Sequence, residues 1–207
     1  IKQENNRFEH NSKRFFHSIT STYLCKMSTI KLHDLHFKPF IKEEEIANIV
    51  KKLVEEVTLD CKNEIPLFIG ILNGSFMFVS DFVKSYKGDC EVSFVKLASY
   101  QGTSSSEKVK QLVGINEDLE GRTVVILEDI IDTGNTLQEI YEIFKDKKVK
   151  QLKIATLFFK PDVFKKELPI DYIGKSIEDK FIVGYGLDYN GLGRNYPAIY
   201  QLTTTQQ

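Results

Sequence analysis

The sequence predicts an α/β fold built on a mainly parallel sheet flanked by helices. Two observations carry that prediction. Residues 124–136, V-V-I-L-E-D-I-I-D-T-G-N-T, open as a continuous apolar run rich in β-branched residues. A run of that kind reads as a strand buried on both faces, the habit of parallel sheets. Similar runs then alternate with segments of helical spacing through the middle of the chain, the pattern of right-handed strand–helix–strand crossovers.

The elements follow in order. Residues 1–26 are polar and without clear period, with five Lys or Arg against Glu4 and Glu9. Their basic, Ser/Thr-rich character fits a transit peptide weakly, and the two acids oppose it. They read as a disordered or non-native extension. A single domain is expected over 27–207, with its core at about 41–202. Residues 41–61 read as an amphipathic helix, because Ile46, Ile49, Val50, Leu53, Val54 and Val57 recur at spacings of three and four. Glu43, Glu44 and Glu45 stand in its first turn, where the helix dipole favours acids. Residues 66–72 read as a strand, Asn73-Gly74-Ser75 as a turn and 76–86 as a helix. Residues 91–99 form the next strand. The polar stretch 99–111 is either a loose connection or a mobile lid. After the strand at 124 onward, Leu137, Ile140, Tyr141 and Phe144 fall at helical spacing. Strands follow at 151–159, ending at Lys160-Pro161, then at 171–173 and at 199–202. The glycine-broken apolar run 181–187 precedes the last of these. No internal repeat is present.

The totals exclude several classes. With 207 residues there is enough chain for one well-cored domain. A net charge of −1 lacks the basic excess of a nucleic-acid binder. No apolar run approaches a membrane span. Cys25, Cys61 and Cys90 are odd in number and widely spaced, so they are neither a disulfide framework nor a zinc site, and they fit a reducing cytoplasm. His10, His17, His33 and His36 all precede residue 37, so Ser-His or Cys-His chemistry has no support near 124–136. His33 and His36 could share a helical face, but a lone pair makes a poor metal site.

The chemistry gathers at the strand-to-helix turn. Open α/β sheets bind ligands beyond the carboxyl ends of their strands. Backbone N–H groups of Thr133, Gly134, Asn135 and Thr136 at a helix start suit a phosphate. Glu128 and Asp129 are adjacent carboxylates, able to accept bonds from sugar hydroxyls or to approach a hydrated Mg²⁺. Asp132 adds a third acid at the turn. Phosphate donors beside three acids point to a phosphorylated ribose with a divalent metal. There is no P-loop and no G-x-G-x-x-G fingerprint.

Residues 124–136 resemble the phosphoribosyl-diphosphate signature of the type I phosphoribosyltransferases. Together with L-N-G-S at 72–75, Ser99-Tyr100, Lys160-Pro161 and the run from Phe181 to Arg194, they make residues 41–202 resemble the hypoxanthine-guanine phosphoribosyltransferases of purine salvage. That resemblance implies the type I fold with a small hood. It implies transfer of a 5-phosphoribosyl group from phosphoribosyl diphosphate to N9 of hypoxanthine or guanine, giving IMP or GMP and diphosphate. Glu128 and Asp129 would meet the ribose hydroxyls, directly or through Mg²⁺. Asp132 would act as general base at the purine N7. Thr133, Gly134, Asn135 and Thr136 would hold the 5′-phosphate. Leu72, Asn73 and Gly74 would hold the diphosphate, with a non-proline cis peptide between Leu72 and Asn73. Relatives often carry Lys or Arg where Asn73 stands, so its contact would be through the backbone. Lys160 would meet the purine O6, Phe181 would stack on the base and Ile182 would meet its edge through the backbone. Asp188 would border the purine and join Glu128 and Asp129 as a metal-binding acid, and Arg194 would reach the diphosphate. Ser99 and Tyr100 would start a lid that excludes water. The resemblance further implies a cytoplasmic homo-oligomer, dimer or tetramer, acting on small molecules. Two alternatives are a catalytically silent regulator that senses phosphoribosyl diphosphate, and a transferase preferring xanthine. An ammonium at O6 disfavours adenine, which presents a donor there.

Overall fold

The computed structural model describes residues 28–98, 110–114 and 117–203. The first two strands are β1 (Ile30–Leu32) and β2 (Leu35–Ile41). Helix α1 (Glu43–Asp60) follows, burying Ile46, Val50, Leu53, Val54 and Val57 as its spacing predicts. It ends where the Cys61 N–H donates to the Val57 carbonyl at 2.9 Å. Next come β3 (Leu67–Leu72), α2 (Phe76–Ser85), β4 (Glu91–Ala98), β5 (Lys110–Val113), β6 (Thr123–Ile131) and α3 (Asn135–Phe144). The chain closes with β7 (Gln151–Phe159), β8 (Tyr172–Ser176), β9 (Ile182–Val183) and β10 (Ile199–Leu202).

The main sheet runs β5-β4-β3-β6-β7-β8. Its strands pair in parallel except β5, which lies antiparallel on β4. Successive side chains of β6 alternate between faces. Val125 and Leu127 join α1 and α2 in one apolar layer, and Val124 and Ile126 join α3 in the other. Because β3 and β6 pair in parallel, the turn after β3 and the acid-bearing carboxyl end of β6 lie at the same edge of the sheet.

A second, antiparallel sheet of order β1-β2-β10-β9 forms the hood. It packs Leu32, Phe37, Val183, Ala198 and Tyr200 into its own small core. Neither β1 nor β2 was among the expected strands. Pro39 pairs with Tyr200 where the register shifts, the irregular position at which a sheet accepts proline.

Three expectations are corrected. His33 turns the chain between β1 and β2 with φ 51, and His36 lies in β2, so the two share no helix. Lys110 and Gln111 belong to a strand and not to a connection. The strand of residues 124 onward extends through both acids to Ile131. Residues 1–26, Ser99 and Tyr100 lie outside the described residues. Among the described residues no helix is long and apolar enough to cross a membrane.

Candidate active site

Glu128 and Asp129 are consecutive on a strand and therefore project to opposite faces of the sheet. Glu128 enters the α3 side, in a crevice with Ile71, Thr136, Leu137 and Ile140. It is buried, and its Oε2 has no hydrogen-bond partner among the described residues. Burial, and then the negative charges of Asp129 and Asp132, push its pKa well above the ordinary carboxylate value.

Asp129 faces the turn after β3. A Cβ placed on Gly74 would lie 1.7 Å from Asp129 Oδ2, so only glycine lets this carboxylate and the turn approach each other. Asp129 Oδ1 accepts the Ile130 N–H at 2.9 Å. Burial pushes its pKa up to about 6, against the pull of that N–H and of the Arg194 charge, and Asp188 adds to the rise. The Leu72–Asn73 peptide is cis, as the resemblance implies. Asn73 is exposed, and the turn is anchored by buried Ser75, whose Oγ donates to the Ile71 carbonyl at 2.6 Å.

The hood supplies the opposite charge. Arg194 Nη2 lies 2.6 Å from Asp188 Oδ1, and its Nη1 donates to the Gly186 carbonyl at 2.6 Å. Gly186 stands against the same turn: a Cβ there would lie 1.9 Å from the Gly74 carbonyl oxygen. Asp129, Gly74, Asp188 and Arg194 therefore converge, although about 120 residues separate Gly74 from Arg194 in the chain.

At the far end of β6, Asp132 is exposed and one of its oxygens accepts the Thr133 N–H. Gly134 caps α3 in the left-handed conformation, φ 82. The first bond within that helix runs from the Gln138 N–H to the Gly134 carbonyl, 3.0 Å. The N–H groups of Asn135, Thr136 and Leu137 consequently have no acceptor inside the helix and face the turn. Thr133 and Asn135 are exposed and Thr136 is half-buried.

Lys160 ends β7 and is only 8% exposed. Its ammonium donates to Asp179 Oδ1 at 2.9 Å, and its N–H donates to the Ile131 carbonyl at 2.9 Å. Phe181 is 45% exposed and packs its ring against Phe37 and Tyr189. Ile182 is buried in β9. Three neighbours were not legible in the sequence. Asp179 lies in a short charged segment with no spacing signal. Phe164 and Lys166 close over Gly134, whose Cβ would meet them at 2.6 and 2.8 Å, yet both stand in a stretch without period.

The arrangement offers helix-start N–H groups for a phosphate, carboxylates for hydroxyls or a metal, a half-exposed aromatic ring at Phe181 and a buried ammonium at Lys160. Residues 41–190 match the family model described as the phosphoribosyl transferase domain. A hypoxanthine-guanine phosphoribosyltransferase of Staphylococcus epidermidis is 41% identical over 160 residues, covering 77% of this chain and 89% of that protein. The same identity and coverage hold for the Staphylococcus aureus protein of that name. A Bacillus anthracis hypoxanthine-guanine phosphoribosyltransferase structure superposes with a TM-score of 0.75 at 37% identity, covering 80% of this chain and 98% of the other. A Staphylococcus aureus hypoxanthine phosphoribosyltransferase structure gives 0.75 at 40%, covering 80% and 91%. With its signature turn, its hood and these relatives, the chain belongs to the phosphoribosyl transferase domain family, in the hypoxanthine-guanine phosphoribosyltransferase group.

Proposed function

We propose that this protein transfers the 5-phosphoribosyl group of phosphoribosyl diphosphate to N9 of hypoxanthine or guanine, releasing diphosphate and IMP or GMP. The observation that carries this is the meeting of Asp129, Gly74, Asp188 and Arg194 one strand-end away from the open N–H groups of α3. That spacing gives the two phosphorylated ends of one substrate separate seats.

In this reading the N–H groups of Gly134, Asn135 and Thr136 hold the 5′-phosphate at the positive end of α3, and Thr133, whose N–H is held by Asp132, adds its hydroxyl. The unpartnered Oε2 of Glu128 accepts a ribose hydroxyl, and Asp129 approaches the same sugar from the other face. Leu72, Asn73 and Gly74 present backbone to the diphosphate, and Arg194 neutralises it. Phe181 stacks on the base, Ile182 meets its edge through the backbone, and Lys160, steadied by Asp179, donates to O6. Exposed Asp132 takes the N7 proton while the N9 lone pair forms the bond to C1′ and the C1′–O bond breaks toward diphosphate. General-base help of this kind is typically worth about 10²–10⁴-fold.

Mg²⁺ fits this site. Among the described residues no cluster of three or more His, Cys, Asp or Glu side chains forms a metal cage. Mg²⁺ takes one or two carboxylates and completes its shell with waters and substrate oxygens. Asp129 and Asp188 are the carboxylates for that task, with Glu128 on the opposite face of the strand. When bound, the ion screens the negative charge that grows on the departing diphosphate.

The test is turnover of the purified chain with phosphoribosyl diphosphate and Mg²⁺, supplying hypoxanthine, guanine, xanthine or adenine separately. Nucleotide from hypoxanthine or guanine, and none from adenine, is expected. No product with any base, with phosphoribosyl diphosphate still bound, would replace the enzyme by a sensor. The reading also includes a single domain over 27–207, action in the cytoplasm, where free Cys61 and Cys90 stay reduced, and a dimer or tetramer, which light scattering checks.

A further inference from the structure

The two seats of the diphosphate arm lie on separate sheets. The turn of residues 72–75 runs directly into α2, and the Asp188–Arg194 pair belongs to the hood. The hood turn approaches the diphosphate turn so closely that Gly186 has no room for a side chain beside the Gly74 carbonyl. Between these parts stands Tyr185. It is 4% exposed and sits between Gly184 and Gly186 with φ 47, a backbone conformation that side chains seldom adopt. Its N–H donates to the Tyr196 carbonyl at 2.7 Å. Its hydroxyl crosses to α2 and donates to Asp81 Oδ2 at 2.7 Å, while Asp81 Oδ1 lies 2.7 Å from the Lys84 ammonium.

Plain core packing would need the Tyr185 ring and not its hydroxyl. A left-handed tyrosine aimed at a carboxylate on the helix that begins at the diphosphate turn is a directional contact. We infer that the Tyr185–Asp81 bond latches the hood onto α2, making Tyr185 and Asp81 positioning residues that set the spacing between Gly74 and Arg194 for the diphosphate. The inference rests on the transferase reading above and names a determinant of that same site.

Tyr185→Phe keeps the ring and removes the hydroxyl. Expected is a rise of about five- to tenfold in KM for phosphoribosyl diphosphate, and for diphosphate in the reverse reaction, the size of one charge-assisted bond. The KM for hypoxanthine should stay within twofold and kcat should fall less than threefold. Asp81→Ala should reproduce the pattern, and the double variant should be no worse than either single one. Unchanged diphosphate constants, or an equal loss for diphosphate and purine, would overturn the latch. If the native chain makes no nucleotide, the transferase reading fails by itself. The latch is then decided by titrating diphosphate with Mg²⁺ calorimetrically into the native protein and Tyr185→Phe, where equal affinities would overturn it.

Discussion

In the proposed function Asp132 and Lys160 would meet the purine from two strand ends and do opposite jobs. Asp132 is exposed, with one oxygen engaged by the next N–H, so it can exchange a proton with a bound base. Asp132→Asn keeps the shape and removes the base. Its kcat should fall about 10²–10⁴-fold with little change in KM for phosphoribosyl diphosphate, by steady-state kinetics. Full turnover would remove Asp132 from the chemistry. Lys160 is buried with a carboxylate partner, an arrangement that fixes where the ammonium points. Lys160→Ala should raise KM for hypoxanthine and guanine about tenfold or more and narrow the preference over adenine, because an O6 acceptor then loses its donor. Asp179→Asn should give a weaker version of the same change. An unaltered base preference in the lysine variant would refute the O6 assignment. Lys160, at the K-P end of its strand, was picked out by the family resemblance. Asp179 was not, because its partnership spans 19 residues of irregular chain.

At the scale of elements, the turn from β6 into α3 depends on Gly134. Its φ of 82 is left-handed, and Phe164 and Lys166 occupy the space a side chain would need. Gly134→Ala should destabilise the fold by about 1–3 kcal/mol, read from urea unfolding, through backbone strain and displaced neighbours. It should also weaken phosphoribosyl diphosphate binding, because the open N–H groups follow directly. Wild-type stability and affinity together would show that the turn tolerates another conformation. The strand itself was readable from its apolar run. The division of Glu128 and Asp129 between opposite faces followed from the strand's period once the strand was known to pass through both acids.

Across the whole molecule, the edge away from the site is held by polar contacts. Asp60, at the end of α1, accepts the Tyr172 hydroxyl from β8 at 2.7 Å and the Lys153 ammonium from β7 at 3.0 Å. The Tyr172 bond, then Lys153, lowers the Asp60 pKa below its ordinary 3.8. A lowered folded-state pKa means that the carboxylate stabilises the fold above the unfolded value, and that this contribution fades as pH falls through the folded one. Asp60→Asn should therefore destabilise the protein at pH 7, with the difference shrinking below about pH 4. Urea midpoints at pH 7 and pH 3 measure this, and an equal loss at both would show that Asp60 acts through packing alone. Asp60 is half-exposed, so the effect is small.

The parallel sheet, its flanking helices and the strand-to-helix turn after β6 were readable in the chain, because each is written in local periodicity and in residues with fixed backbone preferences. The sequence also marked most of the candidate site through a resemblance spread over several motifs. Tertiary structure alone decided the hood strands β1 and β2, the union of Gly74, Asp129, Gly186 and Arg194, and the bond from Tyr185 to Asp81. Those depend on which distant segments touch. Close approach of two backbones, or of a hydroxyl to a carboxylate 104 residues away, leaves no period in a chain.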